Sequence, residues 1–565
     1  MNVQATFAAT LVDEWVRAGV TDAVVCPGSR STPLAIALVA DGRLRVHVHH
    51  DERSAGFTAL GLGLAAGRPA VVLTTSGTAA VELHPAVVEA SMAGVPMIAC
   101  TADRPPELQA VGAPQTIDQT HLFGRAARWF AEPGVADEAT RSGWRSVAAR
   151  AVAEATGARP GPVHLNLAFR DPLVGEPGPL PPGRPDGSAW HRAGSPGDGT
   201  PATFDPSLAG SLATARGLLV AGGGIDDPDG VAALAEATGW PVLADPRSGC
   251  RVPGPWTVAA FDAVLRHEGF AAANRPDVVV RLGSAPASKV TGQWLAGLDA
   301  VRVAVAGSGA WFDPDRDADR LVAAEPGAWC RRLAAELAGL EVDAGWAATW
   351  RAAESTAQAA FERVLGRRPA ISEPGVARRL AAGLPDGATL VVGSSMPVRD
   401  LEWFAAPRAG LRVLANRGAN GIDGVVSTAV GVALAGAGHP TAVLTGDVSF
   451  LHDASALLAL ADRPVDLTIV VVDNRGGGIF SFLPQAGALS RDRFELLFGT
   501  PHDVDLLALA QVHGLAVRGV RTPRDLDDAL ASVGEPGVRV VVARTDRASN
   551  VAVHDELHAE VAASL

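Results

Sequence analysis

Hydrophobic positions in the first part of the chain form short apolar runs that alternate with amphipathic stretches. Up to residue 174 these runs are DAVVCPGS, LRVHVHHD, AVVLTTS, PMIACTAD and PVHLNLA. Short buried strands separated by helical periodicity are typical of a parallel, doubly wound sheet. We therefore expect residues 1–174 to form one α/β domain.

Two further blocks repeat this alternation. Residues 203–345 contain GLLVAGGG, WPVLADP, DVVVRLGS and AVRVAVAG, and residues 370–565 contain TLVVGSS, RVLANRG, TAVLTGD, LTIVVVDN and VRVVVART. Residues 175–202, which are rich in Pro and Gly, have the composition of a linker. The turn GGGIDD in the second block lacks the GxGxxG spacing of a dinucleotide site and favours a structural role. The expected fold class is α/β, with three doubly wound parallel-sheet domains.

Composition narrows the class of protein. A chain of 565 residues exceeds what one core organises, and 48% hydrophobic with 19% charged residues is typical of a globular protein. The net charge of −13 argues against general nucleic-acid binding. Four scattered cysteines without a CxxC pair fit a reducing compartment. The N-terminal stretch contains acids, and no apolar run reaches membrane-spanning length. We expect a cytoplasmic protein with small-molecule partners.

The most informative part of the third block is a pair of strand ends. The run TAVLTGD ends at Asp447, and the run LTIVVVDN ends at Asn474 before the turn RGGG. Ends of neighbouring parallel strands meet at the sheet edge where α/β folds bind ligands. A carboxylate, an amide oxygen and a backbone carbonyl in this turn are hard donors that suit Mg²⁺ held jointly with a diphosphate. After Asp447 we expect a helix with three leucines on its face, Leu457, Leu458 and Leu460.

This layout is similar to the thiamine-diphosphate (ThDP) motif, in which Gly-Asp is followed by a spacer and then Asn. Asp447 and Asn474 lie 27 positions apart, and the third motif position, often Gly, is Val448. A strict GDG pattern is therefore absent. The alternative is that both strand ends are ordinary βα turns of a nucleotide-type fold.

A ThDP enzyme also needs an acid that protonates the aminopyrimidine ring of its cofactor. Glu52 is a candidate, because it follows the run RVHVHH and opens the helical stretch ERSAGFTALGLGLAAG. Burial would raise its pKa and let it share a proton with the ring. The alternative is an acid stabilised by the dipole at a helix start, a role that Asp51 fits better as an N-cap.

Four arginines come at or just after strand ends of the first and third blocks: Arg30, Arg104, Arg399 and Arg417. Arginine binds carboxylates bidentately, and each charge-assisted hydrogen bond contributes roughly 1.5–3 kcal/mol. Each arginine taken alone is more simply explained as a surface residue. Four of them at equivalent places, however, indicate substrates with several carboxylates. Ser394 and Ser395 follow a strand and suit either anion binding or helix capping.

The motifs together resemble one known family. They are PGSRSTPLA, HHDERSAGFTALGLG, TSGTAAVELHPAVVEA, TADRPPEL, TIDQ, ANRGANGIDGVVSTAVG, GDVSFLHD, DNRGGGIFSFLP and RTDRASNV. The chain resembles the 2-succinyl-5-enolpyruvyl-6-hydroxy-3-cyclohexene-1-carboxylate (SEPHCHC) synthases of menaquinone biosynthesis, in the ThDP-dependent superfamily. The resemblance runs from near residue 6 to the C-terminus and is weaker in the second block.

This resemblance implies a transferase that decarboxylates 2-oxoglutarate and adds the succinyl carbanion equivalent to isochorismate in a Stetter-like 1,4-addition. It implies ThDP with Mg²⁺ or Mn²⁺ as cofactors. It also implies that the three blocks are the pyrimidine-binding, central and diphosphate-binding domains. A homodimer or a dimer of dimers with the active site at its interface is expected. The alternatives are another ThDP-dependent 2-oxo-acid decarboxylase or carboligase, a non-catalytic ThDP-binding protein, and an oxidoreductase that uses GGGIDD.

The resemblance also implies roles for individual residues. Glu52 is the expected cofactor-activating acid. The expected metal ligands are Asp447, Asn474 and the carbonyl of Gly476. Further cofactor contacts are expected from Ser394, Ile422, Gly446, Val448, Ser449, Ile479 and Phe480. The oxoglutarate-derived unit is expected to be held by Ser395, Arg399 and Arg417. Isochorismate is expected to contact Ser29, Arg30, Arg104, Gln115 and Lys289.

The chain departs from the family pattern at one position. Pro114 stands where relatives have Asn, which removes a side-chain amide and puts one hydrogen bond to the substrate in doubt.

Overall fold

The structure is a computed structural model that describes residues 2–191, 205–307, 311–436 and 438–565. The described residues form two compact units. The first is drawn from Met1–Asp198, Asn416–Gly438 and His452–Val465, and the second from Gly199–Ala415, His439–Leu451 and Asp466–Leu565. The chain therefore leaves each unit and re-enters it.

The first unit is built on a six-stranded, all-parallel sheet of order β2-β1-β3-β4-β6-β5. Its strands are β1 (Asp22–Val25), β2 (Arg45–Val48), β3 (Ala70–Thr74), β4 (Met97–Asp103), β5 (Phe130–Ala131) and β6 (Pro162–Ala168). Its helices are α1 (Val3–Arg17), α2 (Thr32–Asp41), α3 (Glu52–Ala66), α4 (Thr78–Val81), α5 (His84–Ala93), α6 (Trp144–Thr156) and, later in the chain, α16 (Val425–Ala435). The strand order reverses between β1 and β3, so the crevice of this sheet opens there.

The second unit contains two more six-stranded parallel sheets. One has the order β12-β11-β10-β7-β8-β9. Its strands are β7 (Gly217–Ala221), β8 (Val242–Ala244), β9 (Thr257–Val258), β10 (Val278–Leu282), β11 (Val301–Ala306) and β12 (Arg320–Ala323). Its helices are α7 (Pro206–Leu212), α8 (Pro228–Thr238), α9 (Phe261–Leu265), α10 (Glu268–Ala273), α11 (Lys289–Ala296), α12 (Pro326–Glu336) and α13 (Ala344–Gly366).

The other sheet of this unit has the order β14-β13-β15-β16-β18-β17. Its strands are β13 (Thr389–Val392), β14 (Arg412–Leu414), β15 (Thr441–Gly446), β16 (Asp466–Asp473), β17 (Ala516–Val520) and β18 (Gly537–Arg544). Its helices are α14 (Glu373–Gly383), α15 (Met396–Phe404), α17 (Asp447–His452), α18 (Gln485–Ala488), α19 (Arg491–Phe494), α20 (Leu506–Val512), α21 (Pro523–Leu530) and α22 (Arg547–Ser564). The expected α/β class with three parallel sheets is confirmed.

One expected element is wrong in its extent. The helix after β15 ends at His452, and a 3₁₀ turn over Ala454–Leu457 replaces its predicted continuation. Leu457 and Leu460 are buried, but Leu458 is 42% exposed, so the three leucines do not share one face. The apolar spacing was compatible with a helix, but the chain turns before the helical period is completed.

The predicted linker over residues 175–202 is described only up to residue 191, and the rest lies outside the described residues. Its described part is irregular but held to α1. Gly178 donates its N–H to Thr6 Oγ1 at 2.8 Å, and Asn2 donates its N–H to the Glu176 carbonyl at 2.9 Å. This part of the linker therefore packs on the first unit.

The glycines of GGGIDD have a packing role. A Cβ on Gly222 would lie 1.5 Å from the Ser284 carbonyl oxygen, and one on Gly283 would lie 2.2 Å from the Gly223 carbonyl oxygen. The backbones of the two turns at the ends of β7 and β10 are thus in direct contact. This contact accounts for the glycines without a nucleotide.

Helices α3 and α16 pack through facing glycines. A Cβ on Gly61 would lie 2.1 Å from the Thr428 carbonyl oxygen, and one on Gly431 would lie 2.1 Å from the Thr58 carbonyl oxygen. The two helix backbones are therefore in direct contact. Any side chain at either glycine forces them apart.

Gly61→Ala is expected to destabilise the protein by about 1–3 kcal/mol, because a methyl group at this contact overpacks the core. The measurement is the urea midpoint followed by far-UV circular dichroism. The control is Gly143→Ala, where the added Cβ meets nothing within 4 Å and φ is −91°. That control should shift stability by less than about 0.5 kcal/mol. Equal midpoints for the two variants would contradict the packing described.

Candidate active site

Two arginines lie at the carboxyl edge of the first sheet, near the crevice between β1 and β3. Arg30 is buried in the turn after β1, and its Nη1 donates to the Phe169 carbonyl at 3.0 Å. Burial lowers the pKa of Arg30, and the positive charge of Arg104, which follows β4, lowers it further. The effect of Arg104 on Arg30 shows that the two guanidinium groups share one electrostatic neighbourhood. Ser29 is exposed in the same turn.

Gln115 lies in a loop tied to the end of β3. Its Nε2 donates to the Ser76 carbonyl at 3.1 Å, and Ser76 Oγ donates to the Gln115 carbonyl at 2.9 Å. Its backbone has φ +56°, a region that a side chain rarely adopts. The carbonyl of Pro114 accepts a hydrogen bond from Arg104 Nη2 at 3.1 Å. Although proline replaces the expected Asn at position 114, the backbone carbonyl of this residue still contacts Arg104.

Glu52 opens α3, at the end of β2. The helix is capped by Asp51, whose carboxylate accepts hydrogen bonds from the N–H groups of Arg53 at 2.8 Å and Ser54 at 3.2 Å. The helix is thus capped by Asp51, and Glu52 is not needed for this role. Glu52 is half-buried, and burial raises its pKa, with further increases from the charges of Asp51 and Glu82. These are the properties expected of a proton-sharing acid.

The loop before α16 carries two of the predicted residues, Arg417 and Ile422, both half-buried. The loop belongs to the first unit, as does Glu52. Its last residue, Gly424, has φ +55°, and a Cβ there would lie 2.0 Å from Phe57 Cγ. The end of the loop is therefore packed directly against α3.

Asp447 lies at the end of β15 and is 2% exposed. Its Oδ1 accepts the N–H of Val448 at 2.7 Å, and its Oδ2 accepts the N–H of Gly476 at 2.9 Å. Burial raises the pKa of Asp447, and these two backbone donors lower it. A buried carboxylate held by backbone donors is suited to a cation.

Asn474, at the end of β16, is oriented by a buried acid. Its Nδ2 donates to Glu373 Oε1 at 2.8 Å, and Glu373 is 2% exposed at the start of α14. This hydrogen bond turns the amide oxygen away from Glu373. Asn474 Oδ1 is buried and has no hydrogen-bond partner among the described residues. An oriented buried acceptor of this kind is what a metal ligand requires.

Gly476 lies in a turn that only glycine accommodates. Its φ is +145°, and a Cβ there would lie 2.1 Å from the Gly499 carbonyl oxygen. Its own carbonyl accepts the N–H of Gly478 at 2.9 Å, which leaves the second lone pair for another ligand. The turn therefore brings the Gly476 N–H to Asp447 and keeps a carbonyl acceptor nearby.

The structure adds two side chains to this edge that sequence reasoning did not assign. One oxygen of Asp447, one of Asp473 and one nitrogen of His502 all lie within 4.8 Å of each other. His502 Nε2 is 3.3 Å from Asp447 Oδ2. His502 lies in an irregular loop after a π-helical turn, where neither periodicity nor a strand end marks it. The π-helical turn before it is in backbone contact with the glycine turn, since a Cβ on Gly476 would lie 2.1 Å from the Gly499 carbonyl oxygen and one on Gly477 would lie 2.2 Å from that of Phe498.

A third group of predicted residues surrounds the start of α15. Ser394 is buried, and Ser395 has φ +75° although it is not a glycine, which costs about 1–3 kcal/mol and is typical of functional sites. Arg399 Nη1 donates to the Ser395 carbonyl one turn earlier. Burial lowers the pKa of Arg399. A half-buried cation beside a strained turn at a sheet edge is suited to an anion.

The remaining predicted residues lie in three other stretches of the second unit. Gly446 and Val448 flank Asp447 and are half-buried, whereas Ser449 is buried. Ile479 and Phe480 lie in the 3₁₀ turn Gly478–Phe482, and Phe480 packs on Phe498 with ring centroids 5.3 Å apart. Lys289 is exposed as the first residue of α11, with Ser288 as its N-cap.

The donor set fits a divalent metal and a diphosphate. Asp447, Asn474 and the Gly476 carbonyl supply oxygen atoms, which Mg²⁺ and Mn²⁺ prefer. The unpaired, buried Oδ1 of Asn474 is the observation that carries this fit. The backbone at Ser395 and the N-terminus of α17 lie at neighbouring strand ends and are suited to phosphate. The residues at the carboxyl ends of β15 and β16 are therefore suited to bind a divalent metal.

In the described part of the chain, no helix combines the length and apolarity needed to cross a bilayer. All four cysteines are buried with free thiols.

Family models of thiamine pyrophosphate enzymes match three consecutive parts of the chain. The N-terminal TPP binding domain matches residues 5–122, the middle domain matches 205–392 and the C-terminal TPP binding domain matches 400–543.

Proteins named 2-succinyl-5-enolpyruvyl-6-hydroxy-3-cyclohexene-1-carboxylate synthase are similar to this chain over nearly its whole length. The protein from Myxococcus xanthus is 45% identical, over 100% of this chain and 98% of that protein. That from Thermobifida fusca is 45% identical over 100% of both chains. That from Geobacillus kaustophilus is 43% identical, over 98% of this chain and 97% of that protein.

Proposed function

Because the chain belongs to the SEPHCHC synthase family of ThDP-dependent enzymes, we propose that it joins 2-oxoglutarate to isochorismate with loss of CO₂, as a transferase of menaquinone biosynthesis. The observation that carries the substrate assignment is the placement of arginines at ligand-facing strand ends. Each substrate carries two carboxylates, and the proposed partners of these four groups include Arg30, Arg104, Arg399 and Arg417.

The protein residues that hold the cofactor are drawn from the sites described. Bound ThDP supplies the nucleophilic carbon that decarboxylation and carbon–carbon bond formation require. Asp447, Asn474 and the Gly476 carbonyl are proposed to hold Mg²⁺ or Mn²⁺ against its diphosphate. The other proposed cofactor contacts are Ser394, Ile422, Gly446, Val448, Ser449, Ile479 and Phe480. Glu52 is proposed to hold a proton at the ring nitrogen of the aminopyrimidine, a task for which its raised pKa is suited.

The substrate residues form two proposed groups. Ser395, Arg399 and Arg417 would bind the carboxylates of 2-oxoglutarate and orient its keto group. The isochorismate group is Ser29, Arg30, Arg104, Gln115 and Lys289. Support for the second group is the positive charge that Arg30 and Arg104 bring to one neighbourhood, which favours an anionic ligand although Asp171 lies 3.7 Å from Arg30. Lys289 has the least support, since an exposed lysine at a helix start needs no substrate to explain it.

Product identification tests the proposed function. Protein incubated with ThDP, Mg²⁺, 2-oxoglutarate and isochorismate should form a compound whose mass equals both substrates less CO₂. A product of decarboxylation alone, succinic semialdehyde, would instead assign another 2-oxo-acid decarboxylase.

Arg399→Ala is expected to raise the KM for 2-oxoglutarate by roughly 10–100-fold, since one charge-assisted hydrogen bond contributes about 1.5–3 kcal/mol. The KM for isochorismate should change less than about threefold. Steady-state kinetics with each substrate varied in turn measures both constants. Arg379→Ala is the control, because Arg379 pairs with Asp527 at an exposed site of the same unit. A larger effect on the isochorismate KM would reassign this pocket.

Glu373→Ala is expected to weaken Mg²⁺ binding by roughly 10–100-fold, the usual effect of removing the partner that orients a metal ligand. Without Glu373 the Asn474 amide loses its acceptor and is free to rotate. Mg²⁺ titrations in the presence of ThDP measure this, and turnover should recover at high Mg²⁺. Glu362→Ala, at a side chain 68% exposed, is the control. Unchanged metal affinity in Glu373→Ala would rule out the orienting role.

The assembly and domain roles complete the proposal. We propose that residues 1–174, 203–345 and 370–565 are the pyrimidine-binding, central and diphosphate-binding domains of a cytoplasmic homodimer or dimer of dimers. The support is the family itself. Light scattering of the purified protein gives the molar mass, and a monomer that remains active would exclude this assembly.

A further inference from the structure

Glu89 is a buried acid that the proposed chemistry does not use. It lies on α5 and is 2% exposed. Its Oε1 accepts the N–H of Gly418 at 2.8 Å, and its Oε2 accepts the N–H groups of Ala419 at 2.6 Å and Asn420 at 2.8 Å. Three consecutive backbone donors thus converge on one carboxylate.

The donors belong to the loop that carries Arg417 and Ile422, so both oxygens of Glu89 are engaged by a single turn of this loop. An unpaired carboxylate in a buried position costs several kcal/mol, and charge-assisted backbone hydrogen bonds offset that cost. The hydrogen bonds form only when the three N–H groups point the same way. Glu89 therefore selects one conformation of the loop backbone.

Other contacts hold the same loop at separate points. A Cβ on Gly418 would lie 2.7 Å from the Ala93 nitrogen, so the loop backbone touches the end of α5. Asn420 Oδ1 accepts the N–H of Asp423 at 3.0 Å, which closes the second half of the loop. Glu89 is the charged member of this set, and it contacts the residues immediately after Arg417.

We propose that Glu89 is a positioning residue that fixes the 416–424 loop and thereby the guanidinium of Arg417 for the carboxylate of 2-oxoglutarate. This inference rests on the proposed function for the role of Arg417. Glu89 itself contacts backbone amides and not the substrate. Its effect on catalysis therefore passes through the loop.

The test is Glu89→Gln, which replaces one acceptor oxygen with an amide that faces backbone N–H groups. Hydrogen exchange of the full-length protein should become at least about tenfold faster at residues 418–420 and stay unchanged in β4, because only the loop loses its acceptors. The KM for 2-oxoglutarate should rise about tenfold, and that for isochorismate less than about threefold. Glu154→Gln, at a glutamate of the same unit whose side chain is 37% exposed, is the control and should change none of these.

A double-mutant cycle separates positioning from a general structural effect. In an Arg417→Ala background, Glu89→Gln should leave the 2-oxoglutarate KM nearly unchanged, because the residue through which it acts is absent. Additive effects in the cycle, or unchanged exchange at residues 418–420, would overturn the proposal. If Glu89→Gln does not fold, Glu89→Asp, which keeps the charge but shortens the reach, is measured in the same cycle with the same criteria. Faster exchange combined with no effect of Arg417→Ala would instead contradict the role of Arg417 in the proposed function, and with it the catalytic half of this inference.

Discussion

Glu52→Gln is expected to lower turnover by roughly 10²–10⁴-fold, the usual contribution of a positioned acid or base, while ThDP remains bound. Glutamine keeps the shape of the side chain but cannot share a proton with the aminopyrimidine. Asp51 caps α3 independently, so the helix start should persist. The measurements are kcat and the Kd for ThDP obtained by titration.

The control for Glu52 is Glu82→Gln. The charge of Glu82 raises the pKa of Glu52, but Glu82 is exposed and has no proposed contact with the cofactor. Its replacement should leave kcat within about threefold of the unmodified protein. Near-normal turnover in Glu52→Gln would remove Glu52 from the catalytic assignment.

Asp447→Ala is expected to weaken metal-dependent ThDP binding by more than about 100-fold, since even outer partners of metal ligands contribute 10–100-fold. Asp447 is the one carboxylate of the proposed ligand set, and its loss also leaves the Gly476 N–H without its acceptor. Titration calorimetry of ThDP with and without Mg²⁺ measures the difference.

His502→Ala distinguishes between two possible ligand sets. The proposed set uses Asp447, Asn474 and a carbonyl, whereas the side chains of Asp447, Asp473 and His502 also lie close together. Under the proposed set, His502→Ala should change metal affinity by less than about tenfold. A loss as large as that of Asp447→Ala would make His502 a ligand.

The sheets illustrate how much of the fold the hydrophobic pattern contains. Every strand predicted as an apolar run is present, and most of them are central parallel strands, which are buried on both faces. The four unpredicted strands, β5, β9, β12 and β17, all lie at sheet edges. Strand β17 reads AVRGV with most side chains exposed, so it has no apolar run to detect. Four of the six edge strands therefore have no detectable apolar run, whereas the edge strands β2 and β14 do.

In the candidate site, too, residues marked by local sequence patterns could be predicted, whereas residues that depend on long-range contacts could not. Asp447, Asn474 and Glu52 could be predicted because strand ends are visible in the sequence. Glu89 and His502 were missed because their partners lie 329 and 55 positions away, at Gly418 and Asp447. Contacts over such separations depend on how loops and helices pack, and neither residue stands at a strand end.

The central claim is most directly tested by consumption of isochorismate with ThDP, Mg²⁺ and 2-oxoglutarate, each omitted in turn. The proposed function predicts that consumption requires ThDP and 2-oxoglutarate, falls sharply when the metal is chelated, and releases one CO₂ for each isochorismate consumed. Release of CO₂ without consumption of isochorismate would contradict the account and assign a different acceptor or a simple decarboxylase.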